Sequence, residues 1–262
     1  MTAKKVYIRA VCFVDAASCE PDYKSILSIM EARRMTPMMK RAVWCTEKVL
    51  EEAGVKCPDA ILCGTGYGCL LSTEAFFTAL HDPDGGKAPS PTAFMQSTHN
   101  TIASLLAIRL GCHSYNATYS HSAISFESAL LDAFLRIQNG LGDNALVCAF
   151  EEMSPMFRVL PGEDGSETAV AMLLSSQADG ALCELEDVEI FRTGSVVNID
   201  CDRNDGNKII DWKACCAEFG SNLSVCARAV AQAALDRSSC AILNDGPFRS
   251  NSVIKLKSIC GN

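Results

Sequence analysis

Tyr119-Ser120-His121-Ser122 places a phenol, two hydroxyls and an imidazole in consecutive positions. A hydroxyl or phenol beside an imidazole is the nucleophile and general-base pairing of acyl transfer. Residues one or two apart at a turn seldom face each other, and a working base needs a third group to orient it. His99, upstream in the same stretch, is the other imidazole with a claim to function here; His81 falls among loop formers and His113 opens a strand. Cys112 is the thiol nearest the turn, yet ~23 Å of extended chain separates it from Tyr119, so it reads as a small buried hydrophobe at the wrong end of a strand. The fifteen cysteines form no CxxC pair: Cys57, Cys63 and Cys69 are six apart, Cys215 and Cys216 adjacent. No histidine is placed to complete a tetrahedral set with them, so no metal is expected. Gly64-Thr65-Gly66-Tyr67-Gly68 lacks the further glycine and the distant acid of a dinucleotide loop, and close backbone approach explains its glycines better. No cofactor is expected.

The elements that must position these groups follow from periodicity. Ile102, Leu105, Leu106 and Leu110 recur at helical spacing from Phe94 onward, until Gly111 stops the run. Cys112 to Tyr119 ends in β-formers, and Ala123, Phe126, Leu130, Ala133 and Ile137 restart a 3.6-residue period. The turn therefore lies between a strand's carboxyl end and a helix N-terminus, where unpaired N–H groups favour negative charge. Earlier, Lys5–Val14 reads as a strand and 21–34 as a surface excursion. Thr36 caps a helix that has Pro37 in its first turn and ends at Gly54, and 59–63 is a short strand running into the glycine cluster. A helix over 71–80, a Pro/Gly loop over 81–91 and strands at 144–150 and 170–174 continue the pattern. Beyond Ser175, strands are expected at 181–191, 239–243 and 252–259, a polar loop at 196–208 and a small-residue helix at 221–235.

Taken in order, Thr36 to Ser175 resembles the N-terminal half of the β-ketoacyl synthases, condensing enzymes of the thiolase fold. In that family the reactive cysteine sits in a TACA-type turn, and Asn116-Ala117-Thr118-Tyr119-Ser120 falls on that turn, which puts Tyr119 at the cysteine's position. Gly165-Ser166-Glu167-Thr168-Ala169 resembles the family's GEGA segment. The resemblance implies a thiolase-like layered α-β-α sandwich with an abbreviated C-terminal half: residues 1–175 as the synthase-like half, and 176–262 as a shortened half on the same core. No histidine follows Ser175. The first of the family's two catalytic histidines has no counterpart, and Glu218 stands in the second's position. Phe94, Met95, Gln96, Thr98 and Asn100 fall where the family lines its acyl tunnel or dimer interface. The polar run from Gln96 to Asn100 needs partners if buried, across an interface or along a cavity, and the interface is the better reading.

A phenol, unperturbed near ~10, replaces poorly a thiol whose pKa a helix N-terminus lowers. The resemblance thus implies a non-catalytic subunit of the chain-length-factor kind in fatty acid or polyketide (aryl-polyene-type) biosynthesis. Its expected partners are a full-length ketosynthase, as a heterodimer, or itself, as a homodimer, and an acyl carrier protein. Arg33-Arg34 and Lys40-Arg41 are the basic clusters that could meet an acidic carrier. The alternatives are an active synthase built on Tyr119, His99 and His121, and a scaffold that handles no acyl chain. With 48% hydrophobic residues the chain is built to form a core, and its net charge of -8 argues against binding nucleic acid. No signal peptide opens it and no run approaches a membrane span, so a cytoplasmic protein without membrane insertion is expected.

Overall fold

The computed structural model describes residues 3–15, 19–81, 88–157, 167–192, 208–219, 223–246 and 250–259. In chain order they form β1 (Val6–Asp15), α1 (Ile29–Arg34), α2 (Pro37–Ala53), β2 (Ala60–Gly64), α3 (Leu70–Leu80), α4 (Pro91–Gln96) and α5 (Thr101–Leu110). There follow β3 (Tyr115–Tyr119), a 3₁₀ turn (Ser122–Ile124), α6 (Ser125–Gln138), β4 (Asn144–Glu151), β5 (Thr168–Ser175) and β6 (Cys183–Arg192). The chain closes with β7 (Lys208–Asp211), α7 (Trp212–Phe219), α8 (Val225–Leu235), β8 (Cys240–Asn244) and β9 (Ser250–Ser258).

Local chemistry accounts for most of these boundaries. Thr36 Oγ1 accepts from Met39 N at 3.3 Å, Pro37 occupies the first turn, and Gly54 closes α2 at φ +67°. Gly111 closes α5 in the same left-handed way. The helix expected to run unbroken from Phe94 is instead two helices, α4 and α5. Ser97 Oγ bonds Phe94 O (2.8 Å) and Thr98 Oγ1 bonds Thr101 Oγ1 (3.1 Å), so short polar side chains compete with the backbone ladder and interrupt it. Phe94, Met95 and Gln96 therefore end α4 rather than open a long helix. β7 and α7 were not anticipated, although Asp211 caps α7 by accepting from Ala214 N at 2.8 Å. Most of the polar loop expected at 196–208 and part of 165–169 lie outside the described residues, as do 221–222 at the expected start of α8.

The strands form one mixed sheet in the order β3-β2-β4-β5-β1-β6-β9-β8-β7. Outward from β1, the pairings are antiparallel to β5, antiparallel from β5 to β4, then parallel from β4 to β2 and β2 to β3. Outward from β6 the pattern repeats: antiparallel to β9, antiparallel to β8, then parallel to β7. Among the described residues the second side thus repeats the pairing pattern of the first with one strand fewer, joined to it through the antiparallel β1–β6 pair. Alternation along the strands serves two cores. Ile61, Cys63, Leu146 and Cys148 pack against α2 and α5. Leu62, Val147, Met172 and Leu174 pack with Phe126, Leu130, Val230 and Ala234 of α6 and α8, and this core also takes Leu185, Ile242, Ile254 and Leu256 of the second side. The far face of the second side carries ion pairs, Lys255 to Asp187 and Lys257 to Glu186, beside the buried Ala241 and Val253. The chain is a layered α/β fold in which the outer helix layer covers only the first side among the described residues.

Candidate functional site

Two elements fix the junction. β2 and β3 run parallel, so β3 delivers Tyr119 beside the end of β2, and the backbone then turns into α6. Ser122 holds φ +55°, the sharp strand-to-helix bend of a nucleophile elbow, three residues beyond Tyr119. Tyr119 is the last strand residue, and its phenol donates to Asp132 Oδ2 at 2.9 Å. Burial, and then the Asp132 carboxylate, push this phenol well above its ordinary value. Its ring meets the His121 ring edge-on at 5.8 Å. His121 Nδ1 bonds Ser128 Oγ at 3.0 Å, and His121 N donates to Ser125 Oγ at 2.9 Å. Tyr119 and His121 are therefore brought together, but each is bound to a separate residue of α6.

The glycine loop forms the opposite wall. Thr65 N donates to Tyr119 O at 3.0 Å. Gly66 N (2.6 Å), Tyr67 N (3.1 Å), Thr65 Oγ1 (3.4 Å) and Ser224 Oγ (3.0 Å) all donate to the Glu151 carboxylate. Each glycine is closely approached: a Cβ on Gly64 would lie 2.5 Å from Ser125 O, one on Gly66 2.2 Å from Leu223 Cδ1, and one on Gly68 3.0 Å from His99 Cδ2. Close approach accounts for the cluster. Glu151 is fully buried, and burial raises its carboxyl to about 7 against four donors that favour the anion. Behind the turn, Glu127 Oε1 accepts from Asn244 Nδ2 (2.7 Å) and Ser252 Oγ (3.2 Å), and Asn244 Nδ2 also donates to Ala123 O (2.9 Å). Burial raises Glu127 to about 7 as well, and its Oε2 has no partner.

Of the other expected residues, His99 lies against Gly68, while His81 bonds Phe77 O at the end of α3 and His113 precedes β3. Cys112 is buried before β3, its Sγ 3.4 Å from Pro58 O. Glu218 is exposed on α7 and lines a shallow groove with Lys208, Gln232 and Asp236. Leu223 and Ser224, not Glu218, carry the second side to the junction. Met95, Gln96, Thr98 and Asn100 line one groove of about 850 Å³ together with Met39, Leu105 and Ile108. Tyr119 is not among its lining residues. Phe94 stands beside it, half exposed, its ring tilted against that of Phe76 at 5.2 Å. Gln96 Nε2 donates to Arg34 O and Asn100 Nδ2 to Ser104 Oγ, so these partners of the polar run come from this chain. Arg41 is buried and paired with Glu20 and Glu167, which leaves Arg33 and Arg34 as the exposed basic pair near the groove. Glu127, Asp132, Glu151, Ser224 and Asn244 were missed as site residues. Glu127 had a readable signal, a charge on the apolar stripe of α6. Among the described residues no cluster of three or more His, Cys, Asp or Glu could hold a metal, and no helix is long and apolar enough to cross a membrane.

Residues 14–232 match the family described as beta-ketoacyl synthase, N-terminal domain. No curated protein matches the sequence. Among solved structures, similar folds include a type II PKS acyl-carrier protein in complex with its ketosynthase bound to the hexaketide (TM-score 0.75, 14% identity, 98% of this chain and 100% of that one). A ketosynthase in complex with its chain length factor from Xenorhabdus doucetiae has TM-score 0.64 and 18% identity over 96% and 99% of the two chains. A β-ketoacyl synthase from Burkholderia phymatum has TM-score 0.68 and 13% identity over 98% and 100%. At these identities the likeness is one of fold.

Proposed function

Because the chain belongs to the β-ketoacyl synthase family, we propose that it is a non-catalytic subunit of the chain-length-factor kind. It pairs with an active ketosynthase, in fatty acid or polyketide (aryl-polyene-type) assembly fed by an acyl carrier protein. One observation supports this reading: where the family resemblance would put an ionisable thiol, the Tyr119 phenol is tied to Asp132 and pushed well above its ordinary pKa. No cysteine occurs between Cys112 and Cys148, so neither Tyr119 nor the elbow residue Ser122 brings sulfur to the bend. A thiol at a helix start ionises near neutral pH, whereas a phenol whose pKa is raised further does not. The ketosynthase in complex with its chain length factor from Xenorhabdus doucetiae is among the structures similar in fold, which supports the pairing. The groove bordered by Met95 and Ile108, which are 74% and 80% exposed, offers apolar surface for that pairing.

The test uses the purified chain with malonyl- and acyl-loaded carrier protein. Intact mass should show no acyl adduct, and no carbon dioxide should be released. Added to an active ketosynthase, the chain should co-elute as a heterodimer and change product length. An adduct on Tyr119 or any cysteine, with turnover lost in Tyr119→Phe or His121→Ala, would establish the active-synthase reading instead. Co-elution without any change in product would leave a scaffold.

A further inference from the structure

Cys57 and Cys112 hold matching places just before two neighbouring strands. β2 and β3 are parallel with Ala60 opposite Tyr115, and each cysteine lies three residues before its member of that pair. Neighbouring strands are ~4.8 Å apart, within the ~4.4–6.8 Å that a disulfide spans between Cα atoms. Both sulfurs aim at one atom: Cys57 Sγ lies 3.8 Å and Cys112 Sγ 3.4 Å from Pro58 O. Cys57 is exposed and Cys112 buried behind it, an accessible thiol backed by a resolving one. Cys63 and Cys148 face each other across β2 and β4 but are both buried, so no oxidant reaches them in the folded chain.

We propose that Cys57 and Cys112 are a redox modification site, converted by a peroxide-class oxidant to an intrachain disulfide that staples edge strand β3 to β2. The Cys57 thiolate attacks one peroxide oxygen, forming a sulfenic acid, while the other oxygen leaves as water. Cys112 sulfur then attacks Cys57 sulfur, the S–S bond forms, and the sulfenic oxygen leaves as a second water with the Cys112 proton. Two thiols and one peroxide become one disulfide and two waters, the two electrons passing from sulfur to oxygen. The bond from Cys112, burial and nearby Asp59 push the Cys57 thiol up, so the first step is slow. The second is fast because the resolving thiol lies on the same carbonyl, Pro58 O. The site lies at the opposite end of β3 from Tyr119 and stands independently of the proposed subunit role.

The reduced full chain, treated with hydrogen peroxide, alkylated and digested, should yield one cross-linked peptide joining Cys57 to Cys112, lighter by two hydrogen atoms and released by reductant. Its melting temperature should rise by at least ~4 °C, because the bridge closes a long loop. Cys57→Ser, at an exposed position that leaves the core intact, should abolish both the cross-link and the shift. Cys57 oxidised to sulfinic acid while Cys112 stays reduced, a bridge to any other cysteine, or no oxidation of Cys57 at all would each overturn the proposal.

Discussion

Glu127 is an acid on the apolar stripe of a helix, and burial governs its chemistry. It occupies the buried stripe of α6 with one oxygen bonded twice and the other without a partner, and burial moves its carboxyl from 4.5 to about 7. The folded state therefore binds a proton that the unfolded chain releases above pH 4.5. The stability linked to that proton is intact below pH 4.5 and is lost as pH rises through 7. Glu127→Gln keeps the neutral shape and can still accept from Asn244 and Ser252. Its stability should match the parent near pH 4.5 and exceed it by ~2–3 kcal/mol at pH 8 and above. Denaturant unfolding across that range checks it, and a constant difference between the two proteins would show that Glu127 is ionised throughout.

At the scale of elements, the junction depends on how closely β2 approaches the start of α6. A Cβ on Gly64 would meet Ser125 O at 2.5 Å and Phe126 N at 2.6 Å, backbone atoms that no side-chain rotation can move. Gly64→Ala should therefore cost ~3 kcal/mol or more and lower the melting temperature by some 6 °C. Gly111 shows the contrast: nothing lies near its absent Cβ, and only its φ of +58° argues for glycine. An unchanged melting temperature in Gly64→Ala would mean that α6 shifts without penalty.

For the whole molecule, the question is what binds the shortened side to the complete one. Glu151 answers in part, since it gathers donors from the glycine loop of the first side and from Ser224 at the head of α8. Arg228 adds a second tie, bonding Asp15 at 3.0 Å with its guanidinium over the rings of Phe13 and Phe219. Glu151→Ala would take the carboxylate from two half-buried N–H groups and two hydroxyls. A loss of ~3 kcal/mol or more is expected, with protease sensitivity appearing first in α7 and α8. Ser224→Ala, which removes one donor and leaves the loop bonds, should cost ~1 kcal/mol. Equal losses in the two variants would deny Glu151 its bridging part.

The sequence by itself determined the things that act over a few residues. Thr36, Pro37 and Gly54 bounded α2, the stripe from Ala123 to Ile137 defined α6, and the turn at Tyr119 to Ser122 was placed between strand and helix. Caps, periodicity and β-branching are local, so they survive without knowledge of neighbours. The break at Ser97–Asn100 was legible in principle, since short polar side chains compete with a helix wherever they cluster. The tertiary structure alone decided what depends on register and burial. It brought Leu223 rather than Glu218 to the glycine loop, made Glu127 and Glu151 interior acids, and set Cys57 beside Cys112. Those pairings join residues dozens of positions apart, and only the sheet order and its hydrogen-bonded register bring them within reach.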